Sequence, residues 1–181
     1  MRYAPCVLSV TALVLAGCSA GTTPARSLGN AMGVDAQIGQ MLVRAIHVPA
    51  PSSERYRAGA DVQVVLTLVN HAVEVDVLRQ ASSADAAAVG IFWDQGCDGT
   101  TDRVAALPVQ SVVAPTPPPV PAARPFDPYH LRLTMLRHDV APGTRILLVL
   151  TFQLAGRLDS AAIVLPRTAG LAEPIRSCPS R

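Results

Sequence analysis

The chain of 181 residues contains no lysine; all 15 of its basic Lys/Arg positions are arginine. With the wealth of Ala, Val and Pro, this reads as the codon bias of a GC-rich genome, and an actinobacterial source is expected. Charge of either sign is scarce, at 15 % of residues, with a formal net of +2. Nucleic acid as a partner would need a basic face, and so little charge argues against it. There is no Cys-x-x-Cys, so a thiol redox pair or thiolate metal site has no support. No Gly-x-Ser-x-Gly, His-Glu-x-x-His or phosphate-binding glycine loop occurs, and no carboxylate pair stands at a telling spacing. The protein is therefore expected to be non-enzymatic. No segment carries a 3.6-residue amphipathic period; Ala84–Val89 alone suggests a short helical turn.

The N-terminus carries the sharpest signal. Arg2 gives a charged start, Val7 to Ala16 form an apolar run, and Leu15-Ala16-Gly17-Cys18 matches a bacterial lipobox in all four positions. The run is too short to span a bilayer permanently. The reading is a lipoprotein signal over residues 1–17, cleavage before Cys18, and a diacylglyceryl thioether on Cys18. The mature protein is expected outside the cytoplasm, anchored to the cell membrane by that lipid. Losing Arg2 leaves 14 arginines against 13 acids. Residues 18–38 are small and polar and read as a flexible tether, 39–168 as one folded domain, and 169–181 as a tail.

Cys6 leaves with the signal and Cys18 is lipidated, so Cys97 and Cys178 remain to pair. In an oxidising compartment such a pair forms a disulfide. Closing a loop of about 80 residues is worth roughly 4 kcal/mol by chain entropy.

Two-residue alternation begins at Met41 and runs to Val48, where Pro49 and Pro51 end it. Further strand-like runs are 61–70, 73–81, 86–93, 103–113, 129–136, 145–154 and 157–165, bounded by Gly, Pro, Asn or Asp. Ala155-Gly156 and Ala141-Pro142-Gly143 mark turns. About eight strands at this spacing imply an all-β antiparallel sandwich. The proline-rich loop 115–125 is expected to be extended and exposed.

The order of these elements resembles the PCu(A)C-type extracytoplasmic copper chaperones, and among them the LpqE-like mycobacterial lipoproteins. The matching stretches are Val43-Arg44-Ala45-Ile46-His47-Val48, the strand from Asp61 to Asn70, Val77-Leu78, Tyr129-His130-Leu131-Arg132-Leu133, Ala141-Pro142-Gly143-Thr144 and Leu150-Thr151-Phe152-Gln153-Leu154-Ala155-Gly156. Ala169-Gly170-Leu171-Ala172 adds a similar tail. The resemblance implies a Greek-key sandwich, cupredoxin-like or immunoglobulin-like. It also implies a copper site of four His and Met ligands, two of them from a His-x-Met on one strand. Soft Cu(I) suits thioether and imidazole donors, and residues two apart on a strand point the same way. His130 stands at that histidine position, but Arg132 stands at the methionine, and a guanidinium offers no lone pair. The earlier pair would begin after Val89-Gly90-Ile91, where Phe92 stands, and its methionine falls near Arg103.

Two function readings follow. The first is a membrane-anchored envelope binding or assembly module that has lost most copper ligands, with no cofactor. Its partner would be an envelope protein or lipid, and Arg132 beside His130 a candidate contact for a phosphate or carboxylate. The second is a copper-binding lipoprotein using His130 with improvised partners such as Met135, His138 or His47. Alternation places Met135 on the apolar face with Leu131 and Leu133, which favours a core methionine. His47 reads as a surface or rim residue, and His71 as a turn residue. Asp94, Asp98 and Asp102 suggest a calcium loop but lack its spacing and closing glutamate. A solvated loop pinned by Cys97 is the better reading. Phe92 and Trp93 read as an aromatic pair with one member in the core.

Overall fold

The computed structural model describes residues 28–30, 33–116, 120–167 and 178; the lipobox, Cys18 and most of the tail lie outside them. Among the described residues there are eleven strands and no helix. They are β1 (Leu28–Asn30), β2 (Gly33–Ile38), β3 (Met41–Val48), β4 (Val62–Asn70), β5 (Asp76–Ser82), β6 (Ala86–Trp93), β7 (Asp102–Val104), β8 (Leu107–Val109), β9 (Tyr129–Leu136), β10 (Arg145–Phe152) and β11 (Arg157–Val164). The order β7-β6-β9-β4-β3-β11-β10-β5-β8 forms two facing layers joined through β3 and β4. β9 lies between β6 and β4, and the β10–β11 hairpin between β5 and β3, so sequence neighbours are separated as in Greek-key folds. The expected all-β sandwich is what the chain forms.

The strands turn their inward faces to one core. Val62, Val64, Leu66 and Leu68 of β4 meet Leu131 and Leu133 of β9 and Ile146, Leu148 and Leu150 of β10 in a single core. At Ala141-Pro142-Gly143 the Thr144 amide donates to the Ala141 carbonyl at 3.1 Å, and Gly143 takes φ +83°. Proline before a left-handed glycine is the sequence of a type II turn.

Several expectations need correction. The tether stops short of residue 38: β2 hydrogen-bonds to β3 and buries Val34 and Ala36. Its Gly, Asp and Gln hide it from composition. Gly33, at φ +144°, lies where a Cβ would come within 2.6 Å of the Ala45 backbone, so only glycine allows this approach. Strand pairing is not wholly antiparallel, because Ile163 and Val164 of β11 run parallel to His47 and Val48 of β3. Residues 86–89 belong to β6 and 84–85 to the turn before it, with no helical turn. The expected strand 103–113 breaks at Ala105-Ala106 into β7 and β8, which serve opposite layers, and the strand expected at 73 starts only at Asp76. The proline-rich segment is not uniformly exposed, since Ala123 is buried and bridges to Val109.

Two bulges decide which side chains reach the surface. Ala45, at φ +51°, interrupts the β3 alternation, and Asp35 holds it there. One Asp35 carboxylate oxygen accepts the Ala45 amide at 2.8 Å, and the other takes Arg44 at 3.1 Å. Past the bulge Ile46 and Val48 point into the core, and His47 is only 3 % exposed. His47 is thus a buried residue, not a rim residue. Met135, at φ +54°, makes the second bulge. Its side chain turns out to solvent at 58 % exposure while Leu136 takes the core position. The core-methionine reading fails for that reason.

Candidate functional site

The outward face of the β7-β6-β9 layer gathers the four positions to which the resemblance assigns copper ligands. Phe92 on β6 is paired with His130 on β9 and with Arg103 on β7, while Gly90 is paired with Arg132. Cross-strand partners have Cβ atoms roughly 5 Å apart, so these side chains must share space. The Phe92 and His130 rings stack at 5.3 Å between centroids and 6° between planes. The Arg132 guanidinium lies 4.3 Å from the Phe92 centroid, where the ring's negative face attracts a cation. His130 is 9 % exposed, whereas Arg103 and Arg132 are exposed.

Gly90 makes this arrangement possible. A Cβ there would lie 2.9 Å from the Phe92 ring and 3.4 Å from Arg103 Nε. Its lack of a side chain lets the ring and one guanidinium lie down over β6. Beyond it a groove of about 430 Å³ runs between β5 and the β6–β7 edge, with Arg79 and Gln80 on one side and Gly90 and Arg103 on the other. Arg79 donates to Gln153 Oε1. Residue alternation did not single out Arg79, because β5 meets β6 only through the folding of the two layers.

The other candidates are scattered. Met135 lies five residues along β9 from His130, roughly 16 Å at strand rise. Its amide donates to Asp61 Oδ1 at 3.0 Å. His138 lies past the end of β9. There Nε2 bonds Asp85 Oδ1 at 3.0 Å and Nδ1 contacts the Asp139 carbonyl at 3.2 Å. The Asp85 hydrogen bond foremost, then that carbonyl, raises the His138 pKa above its ordinary value. Of the candidates, the structure brings together His130 and Arg132, and leaves Met135 and His138 apart from both. No group of three or more His, Cys, Asp or Glu side chains able to hold a metal occurs among the described residues.

Cys97 and Cys178 are bonded, with Cα atoms 5.6 Å apart, which ties the β6–β7 loop to the C-terminus. Such a bond is consistent with an oxidising compartment. In that loop Asp94 accepts the Asp98 and Gly99 amides at 3.1 and 2.9 Å, so its carboxylate serves the turn. Trp93 is the core member of the aromatic pair, at 6 % exposure.

No protein-family model and no curated protein matches the sequence. Solved structures do match in fold. A copper-bound PCuAC domain from PmoF2 aligns with a TM-score of 0.53 and 21 % identity, over 72 % of this chain and 97 % of that one. The apo PmoF2 PCuAC domain gives 0.55 and 21 % over 75 % and 97 %. The apo PCuAC domain from PmoF1 gives 0.51 and 15 % over 73 % and 99 %. The chain is similar to these domains in fold.

Proposed function

We propose that the protein is a non-enzymatic, lipid-anchored module of the cell envelope, built on a PCuAC-like sandwich whose copper-ligand positions now serve another ligand. The observation that carries this reading is the cross-strand cluster of Phe92, Arg103, His130 and Arg132. One imidazole remains where the resemblance calls for four soft donors. An arginine offers no lone pair and keeps its charge at every accessible pH. Two guanidiniums beside one histidine repel a metal ion, so the donor set does not fit copper. Anchoring rests on the lipobox at Cys18, and an extracytoplasmic location agrees with the Cys97–Cys178 bond.

The copper-bound neighbour gives the second reading its interest: a copper carrier using His130 and distant helpers. Titrating Cu(I) against a competing chelator separates the two, using the chain from Ser19 onward and His130→Ala as control. The binding-module reading expects no Cu(I) retention beyond that of the variant. Tight one-to-one binding that vanishes in His130→Ala would overturn it in favour of the carrier.

A further inference from the structure

We propose that the groove between β5 and the β6–β7 edge is a phosphate site, with the group held between the guanidiniums of Arg79 and Arg103. The inference deepens the binding-module reading and rests on it. Five of the described arginines have an acidic partner: Arg44 pairs with Asp35, Arg55 and Arg57 with Asp139, Arg124 with Asp127, and Arg157 with Asp159. No described carboxylate pairs with Arg79, Arg103 or Arg132. The nearest acids by position are otherwise engaged. Asp76 is buried, accepting the amides of Val77, Leu154 and Ala155 at 2.7, 2.8 and 3.0 Å. Asp102 is paired with Trp93, on the side of its strand away from Arg103.

Two positive charges with no described acidic partner therefore line one groove. Arg79 is steadied by the neutral Gln153 amide, which orients its fork without cancelling the charge. Arg103 lies over Gly90, its Nε 3.4 Å from where a Cβ would stand. Arg132, cross-strand from Gly90, adds a third charge on the adjoining face. One guanidinium fork satisfies both oxygens of a carboxylate, whereas a phosphate offers further oxygens to a second fork opposite. Arginines facing one another across a groove fit the phosphate. A volume of about 430 Å³ leaves room for the group to which it is esterified.

The test is calorimetric titration of the full chain in neutral detergent micelles, once with inorganic phosphate and once with dihexanoylphosphatidylglycerol. Saturable one-to-one binding is expected for at least one of them. Arg79→Ala or Arg103→Ala should weaken it about tenfold and the double variant should abolish it, because each removes one charge-assisted fork. Arg57→Ala, outside the groove lining and paired with Asp139, should change nothing. Saturation by inorganic phosphate identifies a free phosphate or monoester as the ligand; saturation by the lipid alone identifies a headgroup. The double Arg→Lys variant, which keeps the charge but loses the forks, should also bind weakly, with an unchanged melting temperature. Absence of saturation by either probe, or saturation unaltered in the double alanine variant, overturns the site. Cu(I) affinity with His130→Ala is read separately. A protein that retains neither copper nor phosphate loses this inference alone, and one that holds copper through His130 loses the reading beneath it.

Discussion

Replacing Tyr129 by Phe removes one oxygen atom and tests how the two layers are joined beside the cluster. Tyr129 opens β9, one residue before His130, and is 2 % exposed. β4 pairs with β9 only through Val62, Gln63 and Val64; from Val65 onward its ladder is with β3. Where β9 departs, the Tyr129 hydroxyl accepts the Leu68 amide at 2.8 Å and donates to the Pro125 carbonyl at 3.1 Å. A side chain thus replaces a missing strand. In Tyr129→Phe the Leu68 amide, inside a residue 1 % exposed, loses its acceptor. The space of one oxygen is too small for a water to enter in its place. An unsatisfied buried donor costs about 1–3 kcal/mol, so about 2 kcal/mol is expected. For a domain of this size that lowers the melting temperature by about 6 °C. Urea unfolding with the disulfide intact should show a lower midpoint and an unchanged slope. Tyr56→Phe is the internal comparison, since the Tyr56 hydroxyl donates only to the Pro49 carbonyl at 3.0 Å and leaves no orphaned amide. A loss in Tyr129→Phe no larger than in Tyr56→Phe would refute the argument.

Three further outcomes are expected. Replacing Cys97 and Cys178 by alanine frees a separation of 81 residues and should cost up to roughly 4–5 kcal/mol, read as a lower melting temperature that added reductant no longer changes. The His138 imidazole should titrate above its ordinary value of 6.5 in an NMR pH series, and Asp85→Asn should bring it back. Because the folded pKa is raised, the stabilising contribution is complete below about 6.5 and fades as pH climbs through the folded value. A midpoint unmoved by Asp85→Asn would contradict the pairing. Gly33→Ala should destabilise by at least about 2 kcal/mol, since its Cβ would meet Ala45 backbone that cannot swing aside at 2.6 Å. A melting temperature equal to that of the native chain would show that β2 is not seated on β3.

Alternation and β-forming runs in the sequence were enough to identify most of the fold. Met41–Val48 is a strand over the residues that the alternation marks, and Ala86–Trp93 and Tyr129–Leu136 are strands over the runs that β-forming residues and their boundaries mark. The cysteine arithmetic likewise pairs Cys97 with Cys178 without reference to geometry. What the pattern could not carry was any departure from period two. The bulges at Ala45 and Met135 each shift the faces by one residue, burying His47 and exposing Met135. Neither residue type announces a left-handed conformation. Asp35, ten residues before Ala45, stabilises the first bulge through a contact made only once β2 lies on β3.

The candidate site divides in the same way. Arg132 facing outward beside His130 follows from spacing along one strand. That Phe92, Arg103 and Gly90 join them depends on which strands become neighbours, and β9 reaches β6 across 35 intervening residues. Arg79 reaches the groove from the opposite layer. Away from the two bulges, local preference sets which residues face in or out along each strand. Only the closing of two layers over one core decides which outward residues meet, because burial rewards the core face and leaves the outer face to follow the register.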